Sequence, residues 1–446
     1  VWLVSLMAVS ASAQTLPSAA QTATTAEAPQ ATDQSAGAAA EPTPQPRRPV
    51  LEPPQSLWLT LSLFGGSNQG DIASGSGLES RGVYEDVDAM MEYRHKTRRT
   101  ALDMTARSVV RNDAQMGGVI PMYEGGGISA AFNGVRNQFR ASQSIDYFPY
   151  YQFGAVSDPN TSAVGLTAQS HGDFANANLS AFQTSTGVGM TRALGRRDSL
   201  SLTYDRRQTR FSDDNLDLLS QRIGAIVSHR FTQDLLLHTG YGYRTANNVI
   251  PGLANIHYHE LDLGVDYTRA LSLSRRTTIA FGTGSAILPR DQYSLTPGET
   301  VARPASSFVV SGRATLTRRM GRTWHSAVDG TRGVQVLEGF AQPLIVNTVA
   351  TSVAGNLSRR TLFSSAAGFT SGTVGVGGGP GTNYEMWNVS VALQRAISRR
   401  WAFDTHYTYF ENRYGRAVLL PTGILNEFQR QTLRIGLTWR TPIIEH

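Results

Sequence analysis

The chain has no cysteine, which excludes disulfides, thiolate-bound metal and a thiol nucleophile. Lysine is nearly missing as well: Lys96 is the single one among 40 basic residues. Charge of either sign is sparse, at 17% of residues against about 25% in an average soluble protein. Long hydrophobic runs are absent too. The apolar run that opens the chain, Trp2 to Ala11, covers about ten residues, whereas a membrane-spanning helix needs about 20. After Leu57 no segment carries a convincing helical hydrophobic period. Serine, threonine, asparagine and 43 glycines stand where a soluble protein would carry charged helices. Hydrophobic residues make up only 40%, so low charge without high hydrophobicity calls for another explanation.

The formal charge of +6 comes from arginine spread along the whole chain. A nucleic-acid binder would gather such charge in one region, and no nucleic-acid partner is expected. The clustering that exists is periodic. The phrases "LGRRDS" at Leu194, "LSRRTT" at Leu273, "LTRRMG" at Leu316, "LSRRTL" at Leu357 and "ISRRWA" at Ile397 each follow one alternating segment and precede another. From Arg275 onward the pairs recur about every 40 to 43 residues, the length of one hairpin of two membrane-length strands with its outer loop.

The opening "VWLVSLMAVSASAQ" ends in Ala11-Ser12-Ala13, a small-x-small cleavage pattern. Residues 1–13 are therefore expected to be a secretory signal peptide, here without its basic n-region. Residues 14–56 are Ala, Thr, Gln and Pro with no hydrophobic period, and are expected to be a disordered linker, extended in its Pro-rich end from Pro42 to Pro54. The composition changes after Ser56, leaving residues 57–446 as one domain.

That domain reads as all-β. Leu57, Leu59, Leu61 and Leu63 alternate with Trp58, Thr60, Ser62 and Phe64; Leu433, Ile435, Leu437 and Trp439 alternate with Arg434, Gly436, Thr438 and Arg440. Such alternations run about nine to thirteen residues, longer than an ordinary strand and close to the length that crosses a bilayer at a tilt. Two kinds of connection take turns. Short ones lie around Thr97, Gly195, Thr232, Ser274, Arg319, Ser358 and Ser398. Long ones are rich in Gly, Pro, Asn and Asp, as in "VSDPNTSAVGLTAQSHGDF" and "LPRDQYSLTPGETVARPAS". The pattern predicts a transmembrane antiparallel up-and-down β-barrel of about eighteen strands, with short periplasmic turns, long extracellular loops and both barrel ends on the periplasmic side. Segments 127–136 and 138–152 alternate least clearly, and without them the count is sixteen. A propeller would also repeat, but with shorter strands and a blade signature that the chain lacks.

From Leu57 to Arg440 the chain resembles Gram-negative outer-membrane β-barrels, porin-like in size. The closing "QTLRIGLTWR" is similar to the terminal strand that barrel-assembly machinery recognises, although that class usually ends on an aromatic residue and here Arg440 to His446 follow Trp439. The resemblance implies the outer membrane as location, lipid and lipopolysaccharide around the wall, the assembly machinery as a partner in biogenesis and small hydrophilic solutes in the lumen. Porins often trimerise, so it also implies a homo-oligomer.

Alternation places Asp86, Asp88, Glu92, Asp103, Arg107, Arg111, Arg140, Asp205, Arg207, Arg222, Arg244, Glu260, Asp262, Asp266, Arg313, Asp404, His406 and Arg434 on the lumen face. Acidic and basic walls set opposite each other would orient polar solutes in a transverse field; alternatively the charges pair off into a structural ladder. Trp58, Tyr84 and Tyr258 share that face without forming a stacking track for sugars. The function expected is passive diffusion of small hydrophilic solutes. The alternatives are a barrel for exopolysaccharide or other polymer export, for envelope assembly, or a non-conducting structural barrel. No enzyme activity, cofactor or metal is expected. The best local candidate for acid–base work is "IHYHE", but His257 and His259 lie on the lipid side. Ser285, expected opposite residues 263–265, would stand roughly 17 Å from His259. A TonB-dependent transporter would need a folded plug domain, which residues 14–56 cannot supply.

Overall fold

The computed structural model describes residues 55–70, 82–113, 118–150, 179–212, 216–248, 256–271, 276–289, 306–336, 343–375, 381–418, 420 and 426–445. The expected signal peptide, most of the linker, the connection at Ser274 and most of the long-loop residues lie outside them. Eighteen strands follow in chain order: β1 (Gln55–Gly70), β2 (Gly82–Lys96), β3 (Thr100–Asp113), β4 (Gly118–Asn133), β5 (Asn137–Phe148), β6 (Ala181–Ala193), β7 (Asp198–Phe211), β8 (Leu218–Arg230), β9 (Leu235–Asn248), β10 (Ile256–Ala270), β11 (Thr277–Pro289), β12 (Ser306–Met320), β13 (Trp324–Gln335), β14 (Leu344–Ser358), β15 (Thr361–Val374), β16 (Asn383–Ala396), β17 (Trp401–Tyr414) and β18 (Glu427–Glu445). Each pairs antiparallel with its chain neighbours, and β1 pairs with β18, so one sheet closes on itself.

The faces follow from the period of two. On β1 and β18 the residues Leu61, Leu63, Leu433, Ile435 and Leu437 are exposed, while Ser62, Phe64, Thr432 and Arg434 between them are buried. A sheet that turns leucine outward and arginine inward has lipid as its outer solvent. Strands of 12 to 19 residues suit that role: at about 3.3 Å per residue and a tilt near 40°, about a dozen residues rise ~30 Å.

The barrel has eighteen strands rather than sixteen, and the sequence placed one of them badly. β4 covers Gly118–Asn133 instead of 127–136. Its first half contains Pro121 and the run Gly125-Gly126-Gly127, which look like a loop. Pro121 sits where the β3–β4 register slips past Met122, a bulge that tolerates the missing N–H. Gly125 faces inward where a Cβ would come within 2.6 Å of both the Asp146 carboxylate and the Ile145 carbonyl, so only glycine lets β5 lie this close. At the barrel's start, β1 takes in Gln55 and Ser56, two residues expected in the linker.

Several arginine pairs occupy short turns, and at three of these turns the residue before the pair explains the turn. Thr97 Oγ1 accepts the N–H of Arg99 at 3.3 Å and of Thr100 at 3.0 Å. Ser398 Oγ accepts those of Arg400 and Trp401 at 3.2 and 3.1 Å, and Ser358 Oγ that of Arg360 at 3.2 Å. The hydroxyl replaces a backbone acceptor and leaves both arginines exposed at the rim. One expected turn is displaced. Arg318 and Arg319 end β12, and the chain reverses at Gly321, whose φ of 65° favours glycine.

If the leucine face lies in lipid, Ile435→Arg should cost about 2–4 kcal/mol. Urea titration of the protein folded into vesicles should show a lower midpoint for that variant than for Ile435→Val.

Candidate functional site

The interior divides into a packed arc and a wet one. The packed arc runs from β17 through the β18–β1 seam to β3. Arg111 donates from Nε and Nη2 to the two oxygens of Asp86 at 2.7 and 2.9 Å, and Arg107 grips Asp88 the same way at 3.0 and 2.8 Å. These are bidentate fork pairs, the strongest geometry available to the two groups. Arg434 of β18 reaches over β1 to Asp86 at 3.3 Å, and Arg440 reaches over it to Glu92 at 3.3 Å. Each crosses an aromatic ring on the way: the Arg434 guanidinium lies 4.6 Å from the Phe64 centroid and that of Arg440 4.5 Å from Trp58. His406 meets the Phe64 ring edge-on at 5.9 Å, and Arg111 lies 3.6 Å over Tyr84. Asp86 and Arg111 are completely or almost completely buried. Asp404 is buried in register with Gln394.

The wet arc runs from β5 to β13 below the long-loop end, where the same strands close over buried clusters around Phe148 and Phe211 and around Ile256, Tyr258 and Leu288. Glu260 holds Arg222 at 2.7 Å and Arg244 at 3.5 Å, which faces Arg222 across the β8–β9 ladder. Arg222 also stands 3.8 Å from Asp205, and Arg207 donates to Gln183 at 3.1 Å. His238 lies between Asp262 at 3.0 Å and Asp266 at 3.2 Å. The β10–β11 register is irregular at that level, between Leu261 and Tyr267, and His238 Nε2 reaches the Thr283 carbonyl at 3.0 Å. Gly264 makes this possible, because a Cβ there would collide with the imidazole and with that carbonyl. Arg313 bonds Thr315 at 3.4 Å, and Arg140 is exposed. Although they face inward, the side chains of Asp205, Asp266 and, at the edge of the packed arc, Asp103 are 59%, 50% and 48% exposed. Water therefore reaches them inside the barrel.

The structure joins Asp86 with Arg111 and Arg434, and pairs Asp88 with Arg107 beside them. It gathers Glu260, Arg222, Arg244 and Asp205 into a network of their own, and brings Asp262 and Asp266 to one place, which His238 shares. His238 comes there unannounced, because the apolar run Leu235-Leu236-Leu237 hides its parity. Arg440 and Arg94, which lies 3.6 Å from Asp103, continue the alternation of their strands and could have been found by it.

The geometry around His259 needs a correction. Ser285 pairs with Leu261, not with residues 263–265, because two extra residues of β10 are taken up in the irregularity. Ser285 is thus only two positions from the level of His259, yet its hydroxyl donates to the Leu261 carbonyl. His259 faces outward, bonded to the Tyr241 hydroxyl at 2.8 Å and stacked near Tyr243 at 5.3 Å. Among the described residues no group of three or more His, Cys, Asp or Glu side chains is arranged to hold a metal ion.

No protein-family model matches the chain, and no curated protein matches it in sequence. Solved structures of similar fold include Pseudomonas aeruginosa OccK11 (OpdR), 12% identical with a TM-score of 0.41, the match covering 87% of this chain and 96% of that one. Acinetobacter baumannii OccAB2 is 9% identical with a TM-score of 0.43, over 87% and 98% of the two chains. A loop-deleted OmpT, an outer membrane protein of Vibrio cholerae, is 9% identical with a TM-score of 0.34, over 87% and 100%.

The two arcs should respond differently to charge removal. Asp86→Ala leaves Arg111 and Arg434 without a main counter-charge in a buried site and should cost about 3–5 kcal/mol. Asp205→Ala removes an exposed partner and should cost about 1 kcal/mol or less. Unfolding midpoints in vesicles compare the two.

Proposed function

We propose that this barrel is an outer-membrane channel for passive diffusion of small hydrophilic solutes. One observation carries the reading: carboxylates that face the interior, on β3, β7 and β10, remain about half exposed. A barrel filled by its own side chains would bury them. The wet arc bears both signs of charge, with Asp205, Glu260, Asp262 and Asp266 set among Arg207, Arg222, Arg244 and Arg313. Such a wall orients a polar solute rather than selecting one sign outright.

In this reading the short turns and both ends of the barrel face the periplasm, and the long connections face outward. Residues 1–13 serve as the signal peptide and the segment up to β1 as a periplasmic linker. Lipid and lipopolysaccharide surround the apolar wall. Recognition of β18 by the barrel-assembly machinery and self-association in the membrane belong to the same proposal.

Planar-bilayer recording is the test. Insertion of the purified protein should give stepwise conductance. No steps at any voltage would overturn the channel and leave polymer export, envelope assembly or a structural barrel. Glu260→Gln removes the carboxylate between Arg222 and Arg244, so the zero-current potential in a salt gradient should move toward anion selectivity.

A further inference from the structure

On the outer wall the apolar pattern is interrupted by a polar row along one stretch, above which outward Ile145 and Phe182 resume it on β5 and β6. In register across β5 to β10, the outward positions read Ala141, Val188, Tyr204, Ile223, Tyr243 and His259. The next row toward the long loops reads Gln143, Thr186, Arg206, Gln221, Thr245 and His257. A single register step thus takes the wall from apolar and aromatic to hydrogen-bonding. Arg206 stands eight positions up β7 from Asp198. At about 3.3 Å per residue and a tilt near 40° this is ~20 Å above the short turns, close to the upper edge of an apolar band about 25 Å tall. Arg210 is on the same face four positions higher, and both arginines are exposed.

Neither guanidinium is neutralised by a described carboxylate. Arg206 Nη2 donates to Gln208 Oε1 at 3.3 Å. Asp217, next to Arg210 across the ladder, accepts the Phe211 N–H at 2.7 Å through Oδ1. Two other outward arginines toward the long-loop end are occupied. Arg413 is held by Glu411 at 2.6 Å and Glu427 at 3.0 Å, and Arg332 donates to Asn347 at 2.8 Å and to the Val310 carbonyl at 3.2 Å.

We propose that Arg206 and Arg210, with Gln208 between them and Thr186 and Gln221 beside Arg206, form a site on the membrane face of the wall for a phosphorylated lipid headgroup. The guanidinium fork matches phosphate oxygens in pairs. The stem of Arg206 lies along the apolar band while its head reaches the headgroup layer. The two heads spring from positions about 13 Å apart along the strand, which suits a headgroup with two phosphates. A two-fold contact between copies would set this like-charged patch against itself, and any other contact between copies is read out separately by the cross-linking arm of the test.

The test uses the full chain in nanodiscs of neutral phosphatidylcholine doped with lipid A, or with the same glycolipid stripped of phosphate, and measures lipid retention by native mass spectrometry. The wild type should retain the phosphorylated lipid and release the stripped one. Arg206→Gln with Arg210→Gln should weaken retention about tenfold per arginine. The corresponding double lysine variant should fall between, and Arg413→Gln should match the wild type. Heat-modifiable gel mobility confirms that each variant is a folded barrel, and single-channel conductance should be unchanged, which separates this site from the lumen. Equal retention of lipid A by the double glutamine variant, or equal retention of stripped lipid by the wild type, overturns the proposal. Loss of cross-linked oligomers in that variant with lipid retention unaltered assigns the patch to contact between copies instead.

Discussion

Hydrocarbon offers no hydrogen bonds, so a sheet placed in it must leave no edge. That constraint rests here on one seam, where β1 meets β18 from Ser56 opposite Glu445 to Gly70 opposite Arg430. The partners come from opposite ends of the chain, and closure entropy opposes their meeting, although that cost grows only slowly with length. The seam is reinforced from within. Arg434 and Arg440 pass over β1 to Asp86 and Glu92, so the first strand is held under two straps as well as by its ladders. Glycines make the room: a Cβ at Gly436 would strike the Phe64 ring, and one at Gly66 the Tyr84 ring.

These pairs also decide register. Slipping a strand by one position would turn its leucines into the lumen, which alternation alone forbids. A slip by two keeps every side chain on its proper face, so hydrophobicity barely opposes it. It would carry Asp86 away from Arg111. In one direction, however, Asp88 would come opposite Arg111 and Glu92 opposite Arg107, so the charges would re-pair and the native register is favoured by the fit of the bidentate pairs rather than by the cost of orphaned charge. An apolar core of similar volume could stabilise the barrel as well, but it would resist the two-residue slip less.

Strands, their direction and their two faces are legible because one rule with a period of two governs them all. The rule reads Leu433 to Trp439 and Asp86 to Glu92 without error. It fails where local chemistry departs from the period. Pro121 and Gly125-Gly126-Gly127 imitate a loop, and only the proximity of Asp146 reveals why glycine stands in a strand. The irregularity in β10 moved Ser285 two places, since alternation survives a two-residue insertion and gives no sign of it. His238 was invisible inside Leu235-Leu236-Leu237. The periodic arginine pairs marked the short connections, but at Thr97, Ser358 and Ser398 it is the hydroxyl before the pair that forms the turn. Where that hydroxyl was not in the right place, after Thr317, the turn fell later, at Gly321.

The same inward face was open to two interpretations, a ladder of paired charges or a polar wall for solutes, and the structure divides them by position. Near the seam Asp86, Asp88 and Glu92 are paired with arginines, and Arg111, Arg434 and Arg440 lie over aromatic rings. Away from the seam the strands are held by ladders to chain neighbours, so closure asks nothing of the side chains there. Asp205 and Asp266 face water, and Glu260 shares itself between two arginines instead of binding one tightly. A wall built that way keeps its charges available. The structural requirement at the seam thus does not extend to the charges of the opposite wall.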